Sequence, residues 1–286
     1  MIILPFDPVA LRLGPLILTW HGIFTAVGIL AGLQLAARLA PAARVATEAV
    51  WNATWWVVIG GLVGARLLFV LEHPQLFVDA PWRILLINEG GISVFGAVLG
   101  GAAATALWAR QARVSPARLL DAVAPGFLLG QAIGRIGDII NGEHLGAHAP
   151  GLPWAVIYTH PDTLGEIGVP VHPAVAYELL WDLLAAGCLI WLLLRFQTPR
   201  PAQDPAPPDA PRAARRRLPG GVVFWTGLLL YGLGRLWTGF YRLDAPVAMG
   251  LGLAQLIGLL SIPLSLAGIL LARWRRGRLH AASAPA

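Results

Sequence analysis

Residues 130–146 read GQAIGRIGDIINGEHLG, placing an arginine, an aspartate, an asparagine and a glutamate at the edge of a lipid-like apolar run. An Arg or Asp near a bilayer centre costs about 2.5–3.5 kcal/mol on insertion scales, so a cluster of such groups marks a functional site by default. If 119–140 is helical to its end, Gln131, Arg135 and Asp138 share one face by i, i+3 and i, i+4 spacing. Asn141 and Glu143 then follow as the helix unwinds at Gly142. Gly130, Gly134 and Gly137 would leave room for a ligand or for another helix. The plainer alternative is an Arg135–Asp138 pair that neutralises itself in a bundle and does no chemistry.

A second arginine of this kind, Arg235, lies among glycines in LYGLGRLWTGFYR. Two guanidiniums at similar depth, with few acids nearby in sequence, suit a phosphate ester, because the planar fork binds phosphate oxygens bidentately. Arg66 either pairs with Glu72, Glu89 or another acid, or contacts substrate. His172, in VHPAVAYELLWD beside Tyr177 and Glu178, and His21, in LTWHGIF, are each either a base or a satisfied polar group. No HExxH spacing is present, and glycine breaks the segment carrying His144 and His148, so neither a metal nor another cofactor is expected.

These residues need a scaffold, and the composition says which kind. The 286-residue chain is 57% hydrophobic and only 13% charged, against roughly 25% charged in soluble domains; its mean hydropathy is +0.67. That profile predicts an all-α polytopic membrane protein. All 21 basic residues are arginine, a feature that coding bias explains. Seven apolar segments reach the roughly 20 residues a bilayer span needs: about 15–37, 49–71, 91–109, 119–140, 173–194, 220–240 and 248–272. The single Cys188 forms no disulfide within the chain and reads as a packed core residue. Residues 1–14 lack the basic start of a signal peptide and read as a short outer segment.

Arginine placement sets the orientation. Fifteen arginines follow segments one, three, five and seven, whereas the opposite side holds Arg12, Arg83 and Arg242. The positive-inside rule then puts the N-terminus outside and the C-terminus in the cytoplasm, which an odd number of spans satisfies. This asymmetry also accounts for the net charge of +6 without invoking nucleic acid. Residues 198–219 are Pro-, Ala- and Arg-rich, and read as a disordered cytoplasmic loop. Residues 141–172 form the longest outward loop. The chain is expected to be a single transmembrane domain over 1–286.

GRIGDIINGEHLG, together with EGGISVFGAVLGG before it and HPAVAYEL and LYGLGRLWTGFYR after it, resembles the bacterial prolipoprotein diacylglyceryl transferase family over nearly the whole chain. The pattern Gly-Arg-x-Gly-x-x-x-Asn-Gly-Glu-x-x-Gly is matched by Gly134, Arg135, Gly137, Asn141, Gly142, Glu143 and Gly146. The resemblance implies a multi-pass enzyme of the bacterial inner membrane. Such an enzyme moves a diacylglyceryl group from phosphatidylglycerol to the lipobox cysteine thiol of a prolipoprotein and releases glycerol phosphate. It also implies that Arg135 contacts the lipid phosphate and that Asn141, Glu143 and Arg235 matter for activity. Family members often carry Tyr where this chain has His21 and Asn where it has Asp138; many carry a histidine, considered catalytic, where this chain has Phe95.

On this reading Arg135 and Arg235 stabilise the leaving phosphate, and Asp138, Gly134, Gly137 and His21 shape the binding site. Glu143 orients an arginine or takes the thiol proton, with His172 or His21 as the alternative base. Two other classes compete: a membrane transporter for an anionic phosphate-bearing solute, and a non-catalytic relative that binds lipoprotein precursors. A transporter needs polar groups along a whole through-route, whereas these lie mostly at the outer ends of spans.

Overall fold

The computed structural model describes residues 1–14, 16–86, 91, 93–196 and 218–282. Among the described residues there are seven α-helices: α1 Trp20–Leu39, α2 Thr47–Glu72, α3 Val94–Gln111, α4 Pro116–Asn141, α5 Ala174–Arg195, α6 Val222–Thr238 and α7 Leu253–Ala282. Five of them, α1, α2, α4, α5 and the Leu253–Arg275 part of α7, are long and apolar enough to cross a membrane. At about 1.5 Å per residue, the 17 residues of α6 and the 18 of α3 reach only some 26 Å, short of the roughly 30 Å hydrocarbon core. The fold is that of a polytopic membrane protein.

The all-α expectation needs a correction. Among the described residues, six short strands form three two-stranded sheets: β1 Ile2–Leu4 with β4 Val156–Tyr158, β2 Val9–Leu13 with β3 Leu16–Thr19, and β5 Pro246–Ala248 with β6 Leu251–Gly252. The segment expected to start the first span at residue 15 is instead the return strand of a hairpin. Thr19 ends that hairpin and caps α1, its hydroxyl accepting from the Gly22 amide at 3.1 Å. Similarly, the segment expected to begin the last span at 248 opens as β5–β6 before α7 starts at Leu253.

The chain divides into two compact units. The first comprises Met1–Ala43 and Leu120–Ala286. Here α1 and α4 cross backbone to backbone: a Cβ added at Gly28 or Gly32 would strike the carbonyl of Gly130 or Gly126. Without a hydrophobic drive between helices in lipid, such close contact supplies the packing energy. Asp121 caps α6, accepting from the Gly221 and Phe224 amides at 2.7 and 2.9 Å; a carboxylate there also faces the positive end of the helix dipole. Outside the helices, β1 runs parallel to β4 in the register Ile2↔Val156, and Val156, Tyr158 and Val171 form a small core with Leu4 and Val169.

The second unit, Arg44–Leu119, is built on α2 and α3, again in contact through glycines (Gly60 and Gly64 against Gly96 and Gly100). Buried Arg66 of α2 donates from Nε to the Ile84 carbonyl at 2.8 Å and from Nη1 to that of Gly91 at 2.8 Å. It also donates to the Arg83 and Leu86 carbonyls. Arg66 thus fastens the segment after α2 to the helix; Glu89, one of its expected partners, lies outside the described residues.

Burial is inverted relative to a water-soluble protein. Leu30, Leu184 and Leu260 are 65–71% exposed, while Arg135, Asp138, Glu178 and Asp182 are each buried at 9% or less. Lipid, not water, is the solvent for such a surface. This also corrects the reading of Cys188, which is exposed: in a span, an apolar run faces hydrocarbon as readily as a core. Of the loop expected at 198–219, all but the last two residues lie outside the described part.

Candidate active site

The polar cluster around Arg135 belongs to the first unit. The i, i+3 spacing in α4 puts Arg135 Nη1 2.6 Å from Asp138 Oδ2. The same guanidinium extends Nη2 to Glu178 Oε2 of α5 at 2.8 Å. Arg235 of α6 reaches that very oxygen from Nη1 at 3.0 Å, and its Nε donates to Tyr231 Oη at 3.1 Å, one turn back. Arg242 donates from Nη1 to the other oxygen, Glu178 Oε1, at 2.9 Å. Thr238 Oγ1 lies 3.4 Å from Oε1. One buried carboxylate therefore gathers three guanidiniums from separate stretches of chain.

This arrangement resolves the self-neutralised pair anticipated from sequence. Arg135 and Asp138 do pair, but as part of a larger cluster. An unpaired buried charge costs several kcal/mol, and mutual pairing at these distances is what lets charged groups sit inside an apolar bundle. Donors remain: Arg235 uses Nε and Nη1, and its Nη2 has no described protein partner. Gln131 Oε1 is also buried without a partner. Gln131, Arg135, Asp182 and Arg235 border a void of about 10 Å³, enough for roughly one water.

On the other side of Asp138, His21 at the start of α1 places Nδ1 2.6 Å from Asp138 Oδ1 and 3.5 Å from Glu143 Oε1. Gly137 makes this approach feasible, since a Cβ there would lie 2.6 Å from His21 Cα. The three glycines flagged by sequence thus differ in use: Gly130 and Gly137 admit α1, whereas Gly134 faces open space. The helix ends at Asn141, and Gly142 turns the chain with φ +76°. Asn141 Nδ2 then donates to Glu143 Oε1 at 2.9 Å, with Asn141 Oδ1 buried and unpartnered. Glu143 is therefore held by Asn141, with His21 Nδ1 nearby at 3.5 Å, while Glu178 and Asp138 orient the arginines.

His21, Asp138 and Glu143 each bring one ligand atom within 4.8 Å of the others. The Arg135 charge 2.6 Å from Asp138 opposes a cation there, and the trio is read as a hydrogen-bonded cluster.

His172 is not in the arginine cluster. It precedes α5, whose N-cap is Pro173, lies 3.3 Å from Tyr177 Oη through Nδ1, and stacks obliquely on Tyr241. With Glu143, His144, Trp154, Tyr158 and Tyr177 it lines a mostly apolar cavity of about 340 Å³. His144 accepts from Arg242 Nη2 through Nδ1 at 3.0 Å. Burial first, then the Arg242 and Arg135 charges, hold this imidazole below its ordinary pKa. Burial, reinforced by the Asp138 carboxylate, pushes the Tyr158 phenol up to about 12. His148 pairs instead with Glu166 at 2.7 Å. For Phe95, only the backbone, within α3, lies in the described part.

Glu178 and Arg242 were not singled out from sequence. Glu178 carries its own signal: an acid within VHPAVAYELLWD is as costly to bury as an arginine, and Asp182 follows at i+4. Arg242 falls seven residues after Arg235, beyond the end of α6 and in extended backbone. It reads as an outer-loop charge, but its side chain is only 8% exposed, with Nε 2.9 Å from Asp244 Oδ2.

The chain is similar to known proteins over most of its length. Residues 8–274 match the prolipoprotein diacylglyceryl transferase family. A phosphatidylglycerol–prolipoprotein diacylglyceryl transferase of Trichormus variabilis is 35% identical over 265 residues, covering 92% of this chain and 88% of its own. Those of Gloeobacter violaceus and Chloroflexus aggregans are 34% and 33% identical, covering 92% and 87% of this chain and 91% and 83% of theirs. The chain belongs to the prolipoprotein diacylglyceryl transferase family.

Proposed function

We propose that this protein transfers the diacylglyceryl group of phosphatidylglycerol to the lipobox cysteine of prolipoproteins, the first step of lipoprotein maturation. Family membership supports the reaction. The observation that carries the chemistry is the convergence of Arg135 and Arg235 on a single oxygen, Glu178 Oε2, at 2.8 and 3.0 Å. Two guanidiniums spaced to share one carboxylate oxygen are also spaced to share a phosphate oxygen. Arg235 Nη2 and the open space beside Gly134 leave a donor and room for it.

In the reaction the cysteine sulfur attacks the glycerol carbon bonded to the phosphate. A C–S bond forms, the C–O bond breaks, and glycerol phosphate leaves with the electron pair. Negative charge grows on the departing phosphate. Fixed cations in a low-dielectric site stabilise that charge without reorganising, which is the largest single contribution available to such a step. The thiol, with a free pKa near 8.5, must lose its proton. The candidates for accepting it are Glu143, His21 and, in the adjoining apolar cavity, His172. The cavity lined by Trp154, Tyr158, His172 and Tyr177 supplies apolar surface next to Glu143.

The chain is read as one transmembrane domain of the bacterial inner membrane with seven spans, the N-terminus outside and the C-terminus cytoplasmic. Arginine asymmetry supports that orientation, and all seven helices correspond to an apolar segment. Its partners are phosphatidylglycerol, the signal-peptide and lipobox segment, and the bilayer. Purified protein, phosphatidylglycerol vesicles and a lipobox peptide test the proposal: a thioether-linked diacylglyceryl peptide is expected. Peptide binding without product identifies a non-catalytic relative, and passage of a phosphate-bearing solute across vesicles without product identifies a transporter.

A further inference from the structure

We propose that His21 removes the proton from the acceptor thiol, with Asp138 fixing the imidazole for that task; this rests on the transferase reading above. Three histidines border the site, and their hydrogen bonds distinguish them. His144 Nδ1 accepts from Arg242 at 3.0 Å, so its lone pair is engaged and its other nitrogen carries hydrogen toward Asp138 Oδ2, 4.0 Å away. His172 Nδ1 meets the Tyr177 hydroxyl at 3.3 Å and has no carboxylate beside it among the described residues.

His21 differs on both counts. A carboxylate oxygen 2.6 Å from Nδ1 requires Nδ1 to carry hydrogen, which leaves the Nε2 lone pair as the acceptor. No described group occupies Nε2. A buried carboxylate behind an imidazole sets the tautomer and stabilises the imidazolium once the proton arrives. Asp138 is 5% exposed in its side chain, whereas His21 is 41% exposed. The pair is anchored on one side and open on the other, as a base that meets an incoming thiol must be.

The surrounding charges fit the step. Asp138 is shared with Arg135 at 2.6 Å, so one carboxylate couples the base to a phosphate-binding cation. Glu143 Oε1, 3.5 Å from His21 Nδ1, adds a second negative group facing the imidazolium. The thiol proton moves to His21 Nε2, sulfur bonds to the glycerol carbon, and the phosphate takes the electrons of the broken C–O bond. The imidazolium later returns its proton to the departing phosphate or to water.

The test compares two acceptor peptides, one with lipobox cysteine and one with selenocysteine, whose selenol is already ionised at neutral pH and needs no base. His21→Gln and His21→Ala are assayed with intact protein in phosphatidylglycerol vesicles, using whichever variant keeps the wild-type melting midpoint. Loss of a general base typically lowers a rate about 10²- to 10⁴-fold, and that loss is expected with the cysteine peptide. The selenocysteine peptide is expected to recover to within about tenfold of wild type. Equal losses with both peptides, or wild-type transfer to cysteine, overturn the proposal. Wild-type protein is the control for the transferase reading: if it makes no product with either peptide, that reading fails first.

Discussion

Replacing Arg135 by lysine keeps the charge and removes the fork. In the structure this guanidinium contacts two carboxylates at once, Asp138 Oδ2 at 2.6 Å and Glu178 Oε2 at 2.8 Å. It still has further N–H groups for a phosphate. One ammonium on a flexible stem does not span both acceptors in that plane. Losing one preorganised donor to a developing oxyanion costs about 2.7–4 kcal/mol, which is a 10²- to 10³-fold fall in transfer rate. Because the charge persists, the fold should survive, and the melting midpoint in detergent should drop by only a few degrees. The assay is thioether formation on a lipobox peptide from labelled phosphatidylglycerol, read as kcat and KM for the lipid. Transfer by Arg135→Lys within twofold of wild type would refute the bidentate role, because a point charge would then suffice.

Three further outcomes follow from the same geometry. Glu178→Gln should destabilise the protein by about 3–5 kcal/mol, because three guanidiniums then crowd a neutral group; thermal unfolding in detergent measures it, and an unchanged midpoint would contradict the hub. Gly130→Leu should prevent assembly of the α1–α4 pair, since an added Cβ already lies 2.8 Å from the Gly28 carbonyl oxygen; monodispersity after extraction reports it. His144 titrates below its ordinary 6.5 in the folded state, so its share of stability is present above pH 6.5 and is lost as pH falls below that value. The melting midpoint should therefore decline on acidification, and less so in His144→Asn, a residue that tolerates the backbone φ of +59° at this position.

Polar residues in an apolar chain are few and costly, so Arg135, Asp138, Asn141, Glu143 and Arg235 announce themselves, and local helical spacing brings Arg135 to Asp138. Long-range convergence has no such local signature. Glu178 sits 43 positions from Arg135 and 57 from Arg235, and only packing of α4, α5 and α6 reveals that all three meet. Apolar helices were legible because hydropathy is a sum over about 20 residues, and five of them are long and apolar enough to cross a membrane. Span ends were less so, since strands such as Leu16–Thr19 are as apolar as the helix they precede. Cys188 illustrates a further limit: hydropathy does not separate a face buried in protein from one in contact with lipid.

The central claim is that Arg135 and Arg235 hold one phosphate together. A structure of the protein with phosphatidylglycerol bound and no acceptor peptide tests it most directly. The account predicts the lipid phosphate within hydrogen-bonding distance of both guanidiniums, with the glycerol carbon on the side facing His21 and Glu143. A phosphate bound elsewhere, with both arginines still closed on Glu178, would contradict it.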